Sequence, residues 1–272
     1  FGGDTSNTII AAARQGANTG YLTAIGNEDF GQSLIELWHE EGVNTEHVIR
    51  SETNPTGAYF VKPHASGRSF SYLRQGSAAS AYASADLPIA AIGHAKIMHS
   101  SALSMAISAD MRASVMKAAE ISRSTDTLFS FNTNLRLNLW SLKDAKAAIS
   151  QILPFADIIL PSDDEAQLLT GLSDPDAILD HYLDYGAQIV ALKRGAEGVM
   201  IATGDARHDI PAAQSNPIDS TGAGDSFAGA FLAYYLETGD VRIAGERAAK
   251  VAAAVVSGYG AADPIPHRDD IV

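Results

Sequence analysis

The chain has no cysteine among its 272 residues. That excludes disulfides, thiolate metal sites and a cysteine nucleophile. It also fits a reducing compartment, so the expected location is the cytoplasm. Long apolar runs are missing as well. None reaches the ~18 residues that a membrane-spanning helix requires, and a membrane protein is not expected. Positive charge is scarce: 19 Lys and Arg stand against 32 Asp and Glu, for a net charge of -13 at neutral pH. Such a chain is a poor partner for nucleic acid, which needs clustered cations. If the ligand is an anion, the few basic residues must converge on its site. The eight histidines show no metal-binding spacing. A Gly-x-Ser-x-Gly hydrolase elbow is absent. So are the Gly-Lys-Ser/Thr ending of a phosphate loop and the glycine spacing of a dinucleotide fingerprint.

What remains is an ordinary globular composition, 46% hydrophobic and 19% charged, which argues against disorder. The length suffices for one large domain with a sizeable core. Short β runs alternate with helical patterns, predicting an α/β fold with a largely parallel sheet. Helices are expected at residues 5–15, 29–41, 108–123, 141–153, 163–170, 174–185, 222–236 and 241–257. Strands are expected at 20–24, 96–99, 128–131, 158–160 and 189–192. Residues 56–74 break the rhythm. Two alternating stretches, 57–61 and 69–74, flank a turn-rich loop at 63–68. They read as a β excursion, either a lid or a hairpin of the main sheet. The start, Phe1-Gly2-Gly3-Asp4-Thr5-Ser6-Asn7, enters almost directly into a helix. It lacks the basic start and apolar middle of a signal peptide. An α/β domain usually opens with a strand, so a strand ahead of Phe1 is expected.

The strongest motif is Asp219-Ser220-Thr221-Gly222-Ala223-Gly224-Asp225. Small residues at Gly222, Ala223 and Gly224 let the backbone approach a ligand at the positive end of an apolar helix. Their amides can bind phosphate or stabilise developing negative charge. A carboxylate there, Asp225, would repel phosphate but could take a proton from a hydroxyl nucleophile. The plainer alternative is a Gly-rich helix start with an acidic residue complementing the dipole. Lys193-Arg194-Gly195-Ala196-Glu197-Gly198 follows a strand and suits either a nucleotide or a simple turn. Asn134 and Arg136 also follow a strand. Arg136 can recognise a carboxylate bidentately, or it can be a solvated loop residue. Tyr72 and Arg74 share one strand face, functional or merely exposed. Glu165 opens a helix after Pro161-Ser162, either balancing the dipole or reaching magnesium through water.

Together these motifs resemble the ribokinase-like, PfkB-type carbohydrate kinases over essentially the whole chain. Asp219 to Asp225 is similar to that family's signature, and Gly2-Gly3-Asp4-Thr5-Ser6-Asn7 to its diglycine substrate motif. Tyr72-Leu73-Arg74-Gln75-Gly76 and Asn132-Thr133-Asn134-Leu135-Arg136-Leu137-Asn138-Leu139-Trp140 resemble the bacterial 2-keto-3-deoxygluconate kinases within it. The resemblance implies a single ribokinase-like α/β domain over 1–272, a mostly parallel sheet flanked by helices. Residues 56–75 would be part of a small β lid, and further strands of the sheet and lid are expected before Phe1. It implies ATP-dependent phosphorylation of the sugar acid's terminal hydroxyl, with Mg2+ and, in some members, a monovalent cation. Other readings are a fructokinase or ribokinase, or a binder of nucleotide or sugar that lost catalysis. By resemblance Gly3, Asp4, Asn7, Tyr59, Tyr72, Arg74 and Arg136 would contact the sugar, with Asp225 as base. Gly222, Ala223 and Gly224 would form the anion hole. Asn134, Ser162, Lys193, Arg194, Gly195, Glu197, Gly198, Gly222 and Gly224 would lie along the nucleotide, and Glu165 would reach the metal. Asn132 departs from the family's usual Asp. The expected partners are a small sugar acid, ATP and copies of the same chain in a dimer or larger assembly.

Overall fold

Alternate residues of the central strands point to opposite faces, and in this chain both sets are apolar. Phe129, Phe131, Ile159, Val190 and Leu192 pack on one side. Ile158, Ile189, Ala191, Val199 and Ile201 pack on the other. A sheet that is apolar on both faces must be covered on both. The computed structural model, which describes residues 1–64 and 67–271, shows that arrangement. Its strands are β1 (Thr23–Gly26), β2 (Val48–Ser51), β3 (Ala58–His64), β4 (Gly67–Leu73), β5 (Ile97–Ser101), β6 (Leu128–Asn132), β7 (Ile158–Ile159), β8 (Ile189–Lys193), β9 (Val199–Ala202) and β10 (Arg207–Ile210). Its helices are α1 (Asp4–Arg14), α2 (Asp29–Glu40), α3 (Ile89–His94), α4 (Ala102–Ile107), α5 (Ala109–Arg123), α6 (Leu142–Ile152), α7 (Asp163–Thr170), α8 (Pro175–Leu183), α9 (Ala223–Thr238) and α10 (Val241–Val256).

The main sheet runs in the order β10-β9-β8-β7-β6-β5. Strands β5 to β8 are parallel, and β9 and β10 continue antiparallel. Residues from α4 to α8 cover one face, and α9 and α10 cover the other. Several helices begin where their sequence supplies a capping oxygen. Ser108, Ser141, Asp174 and Asp240 each accept a backbone N–H of the first turn, which satisfies donors that the helix cannot. The parallel strands end on one edge with Ser101, Asn132 and Lys193. Ligands of α/β proteins gather at that edge.

The chain departs from its sequence pattern in several places. Of the strand expected at 20–24, Gly20 makes only an isolated bridge to Asn44, and the strand proper runs from Thr23 to Gly26. That strand pairs in parallel with Val48–Ser51, a half-exposed strand whose polar end hides its pattern. Strand β10, Arg-His-Asp-Ile, lies at the sheet edge, where only Ile210 is buried, so no alternation marks it. The short helices α3 and α4 are too brief to show a period. The excursion at 56–74 is an antiparallel hairpin, with Tyr59 opposite Tyr72. Part of the loop expected at 63–68 is strand, and Ala65 and Ser66 lie outside the described residues. Among the described residues, no helix is long and apolar enough to cross a membrane.

Candidate active site

The site starts with a turn that only glycine can make. Gly222 caps α9 at φ 78°, and a Cβ there would fall 2.8 Å from the Ala261 carbonyl oxygen. Asp219 fastens the approach to this turn. One of its oxygens accepts from the Thr221 N–H and hydroxyl, and the other from the Gly260 N–H at 3.1 Å. The Gly-Ala-Gly stretch is thereby held with its first-turn amides at the positive helix end. Asp225 projects from this turn.

Helix α1 supplies the second wall. Gly229 of α9 lets it approach: a Cβ at Gly229 would meet the Thr8 carbonyl oxygen at 2.1 Å. Across this contact the Asn7 amide donates to Asp225 Oδ2 at 2.9 Å. The Gly3 N–H donates to Asn7 Oδ1 at 3.2 Å, which fixes the way the Asn7 amide faces. Asp4 accepts from the Ser101 hydroxyl at the end of β5. Asn134 Nδ2 stands 3.5 Å from both an Asp4 and an Asp225 oxygen, so three elements meet around the two carboxylates.

A neighbouring negative charge and desolvation both disfavour the ionised form of a carboxyl. Burial pushes the Asp225 carboxyl up from 3.8 to about 7, and the Asp4 charge adds to the rise. The Asn7 N–H and the charges of Arg136 and Lys193 oppose it. A carboxyl poised near neutral pH suits proton removal from a hydroxyl.

The third wall is the hairpin. The Tyr59 and Tyr72 rings lie 6.0 Å apart. Arg74 lies over both, 5.7 and 5.4 Å from the ring centres. Burial, helped by the Asp225 charge, lifts the Tyr59 phenol to about 12, so it stays protonated. Arg136 enters from the loop after β6 and pairs with Glu165 at 3.1 Å. Burial opposes its charge, but Glu165 and Asp225 outweigh that and hold the guanidinium above its ordinary range. Thr133 donates to the other Glu165 oxygen at 3.0 Å. Lys193 Nζ donates to Asn132 Oδ1 at 3.0 Å, with burial pulling the amine below its ordinary range.

These side chains enclose a cavity of about 400 Å³. Asp4, Asn7, Tyr59, Tyr72, Arg74, Arg136, Asn134, Ser162, Glu165, Lys193, Gly222, Gly224 and Asp225 all line it. A larger void of about 930 Å³ runs beside β5. It contains neither Asp225 nor Lys193, so the chemistry does not reside there. The remaining candidates stand apart from the cavity lining. Arg194 is held by Asp209 and Glu197, and Gly195, Glu197 and Gly198 form the turn into β9. Gly3 acts through Asn7, and Ala223 through the helix end. Asn134, expected along the nucleotide, lines the cavity beside an oxygen of each carboxylate. The sequence reading did not single out Ser101 or Thr133 as site residues. Both lie at or just beyond the carboxyl end of a parallel strand, and that position is the signal that could have found them.

The sequence matches the model of the pfkB family carbohydrate kinases over residues 1–268. It is 34% identical to a 2-dehydro-3-deoxygluconokinase of Thermoproteus tenax, over 97% of this chain and 82% of that one. It is 32% identical to Fructokinase-2 of Oryza sativa subsp. japonica, over 85% of this chain and 69% of that one. The fold matches the crystal structure of a PfkB protein from Polaromonas sp. JS666 with a TM-score of 0.90 at 29% identity, over 99% of this chain and 88% of that one. A ribokinase-like sheet, a carboxylate at a glycine-built helix end and a match along nearly the whole sequence agree: the chain belongs to the pfkB family of carbohydrate kinases, phosphotransferases with an alcohol acceptor.

Proposed function

We propose that this kinase transfers the γ-phosphate of ATP to the terminal hydroxyl of 2-keto-3-deoxygluconate, giving 2-keto-3-deoxy-6-phosphogluconate. The observation that carries the reading is the meeting of Arg74 and Arg136 in the cavity that holds Asp225. A sugar acid brings a carboxylate that these guanidinium groups can bind, which a neutral sugar lacks. They also supply local positive potential within a chain of net charge -13. The name of the Thermoproteus tenax relative supports the same substrate.

In this reading the sugar lies under the Tyr59–Tyr72 hairpin, which serves as a lid. Asn7 holds the Asp225 carboxylate towards the terminal hydroxyl, and Asp225 takes its proton as the oxygen attacks phosphorus in line. The amides of Gly222 to Asp225 receive the charge that develops on the phosphoryl oxygens. Among the described residues, no group of three or more acidic or histidine side chains gathers as a metal site. Glu165 would hold a magnesium ion through water, where the ion would neutralise phosphate charge. Glu165 accepts from Thr133 and Arg136, and a carboxylate retains acceptor capacity beyond two bonds.

A fructokinase is the second reading, favoured by the Oryza sativa relative's name. Replacing Arg136 separates the two. Arg136→Ala should raise KM for the keto acid by about 10-fold or more, the scale of a lost charge-assisted hydrogen bond, with KM for ATP little changed. Steady-state kinetics on both substrates checks this. Equal losses for both would reject the carboxylate role.

A further inference from the structure

We infer that Asn134 is a positioning residue: its side-chain amide stands between Asp4 and Asp225 and favours both carboxylates in their ionised form, leaving one Asp225 oxygen to take the hydroxyl proton. The inference rests on Asp225 being the base of the reading above, but not on which sugar is phosphorylated.

Asn134 lies in the loop that follows β6. Among the described residues it is the one non-glycine residue with a positive φ, at 20°. Asparagine enters that region more readily than most side chains, and a backbone outlier held at a cavity points towards function. The residue is buried, only 4% exposed. Its predecessor Thr133 turns to Glu165 on α7, whereas Asn134 turns to α1 and α9. There its Nδ2 stands 3.5 Å from Asp4 Oδ2 and 3.5 Å from Asp225 Oδ1. That nitrogen carries two N–H donors, one for each acid. The charges fix which way the amide faces, because both acids would repel its oxygen. Bonds of this length are weak as they stand, and catalytic hydrogen bonds commonly tighten once substrate is bound.

The stronger donors are already divided between the two acids. Ser101 serves Asp4 Oδ2, and Asn7 serves Asp225 Oδ2 at 2.9 Å. That leaves Asp225 Oδ1, the oxygen beside Asn134, to receive the proton. Asp225 also faces Tyr59 from the hairpin, Arg136 from the loop after β6 and Lys193 from β8. The two cations favour its ionised form, and Asp4 disfavours it. Asn134 adds a donor to the pair without adding a third charge. In the transfer, the hydroxyl O–H bond breaks and its proton bonds to Asp225. The sugar oxygen keeps the electron pair and bonds to the γ-phosphorus. The bond to the β,γ-bridging oxygen breaks, and its electron pair leaves with ADP. Asn134 exchanges no proton.

Two variants separate this role from a contact with the nucleotide and from a mere turn. Asn134→Gly keeps a backbone that accepts positive φ and removes the amide. Asn134→Asp keeps nearly the same shape and puts a third carboxylate where the donor was. The readouts are the pH profile of kcat/KM on whichever sugar the unaltered enzyme uses best, binding of Mg-ADP, and thermal melts. Asn134→Gly should move the acidic limb to higher pH by about 0.5–1 unit, the scale of one lost hydrogen bond. Its turnover should recover above that limb, and its Mg-ADP binding should be kept. Asn134→Asp should move the limb further in the same direction, because a like charge adds to the rise. If the glycine variant does not fold, the aspartate variant decides alone. An unmoved limb, or loss of Mg-ADP binding in Asn134→Gly with the limb in place, overturns the inference. So does loss of turnover at every pH in variants that melt normally. Failure of the base reading looks different: Asp225→Asn, measured alongside, would then keep its turnover.

Discussion

Asp225 owes its chemistry to its surroundings rather than to its type. Burial and the Asp4 charge lift its carboxyl to about 7, while the Asn7 N–H works the other way. As the proposed base it must be ionised, so kcat/KM should rise with pH through about 7. Asn7→Ala removes a donor to the ionised form, so it should move that limb to higher pH; a pH profile of both proteins checks the shift. An unmoved limb would mean that another group titrates. At this scale much was legible. The motif around Asp225, the pair Asp4 and Asn7, and Arg74 and Arg136 were all visible as residue types in order, and the cavity unites them. What stayed hidden were relations that require three dimensions. The hold of Gly3 on Asn7 and the place of Asn134 beside the carboxylates depend on orientations that no spacing encodes.

Helix packing sets the distance between Asn7 and Asp225. The two residues sit on α1 and α9, and these helices touch where Gly229 presents no side chain to the Thr8 carbonyl. Gly229→Ala would gain roughly 1 kcal/mol of helix propensity. A Cβ 2.1 Å from a carbonyl oxygen cannot be accommodated without parting the helices, and such overpacking costs about 1–3 kcal/mol. The steric term should win. The variant should unfold at lower denaturant and turn over more slowly, because the 2.9 Å link from Asn7 to Asp225 spans the disturbed contact. Unchanged stability and kcat would show that α1 has room to shift. Elements with a strong period, such as α2, or a period with a capping serine, such as α6, were readable in the sequence. Strands β2 and β10 were not, because a short strand on an edge has too few buried positions to display alternation.

For the whole molecule, the site carries a stability cost. The folded state holds a proton on Asp225 up to about 7, whereas the unfolded chain releases it near 3.8. The stabilisation from that bound proton is complete below 3.8 and is lost as pH rises to about 7. At pH 8 the native fold shelters an unfavourable carboxylate. Asp225→Asn removes it and should melt higher than the unaltered protein at pH 8, with the gap closing towards pH 4; thermal melts across that range check the trend. A gap independent of pH would mean that the shift is not coupled to folding. The central claim, that one cavity joins a carboxylate-binding clamp to a proton-accepting aspartate, is tested most directly by ADP release from Mg-ATP. The substrates are 2-keto-3-deoxygluconate, 2-ketogluconate, fructose, ribose and adenosine, with Asp225→Asn alongside. The expected result is a strong preference for 2-keto-3-deoxygluconate, with turnover falling about 100- to 10,000-fold in the variant. A preference for fructose or ribose, or full activity without the Asp225 carboxylate, would contradict it.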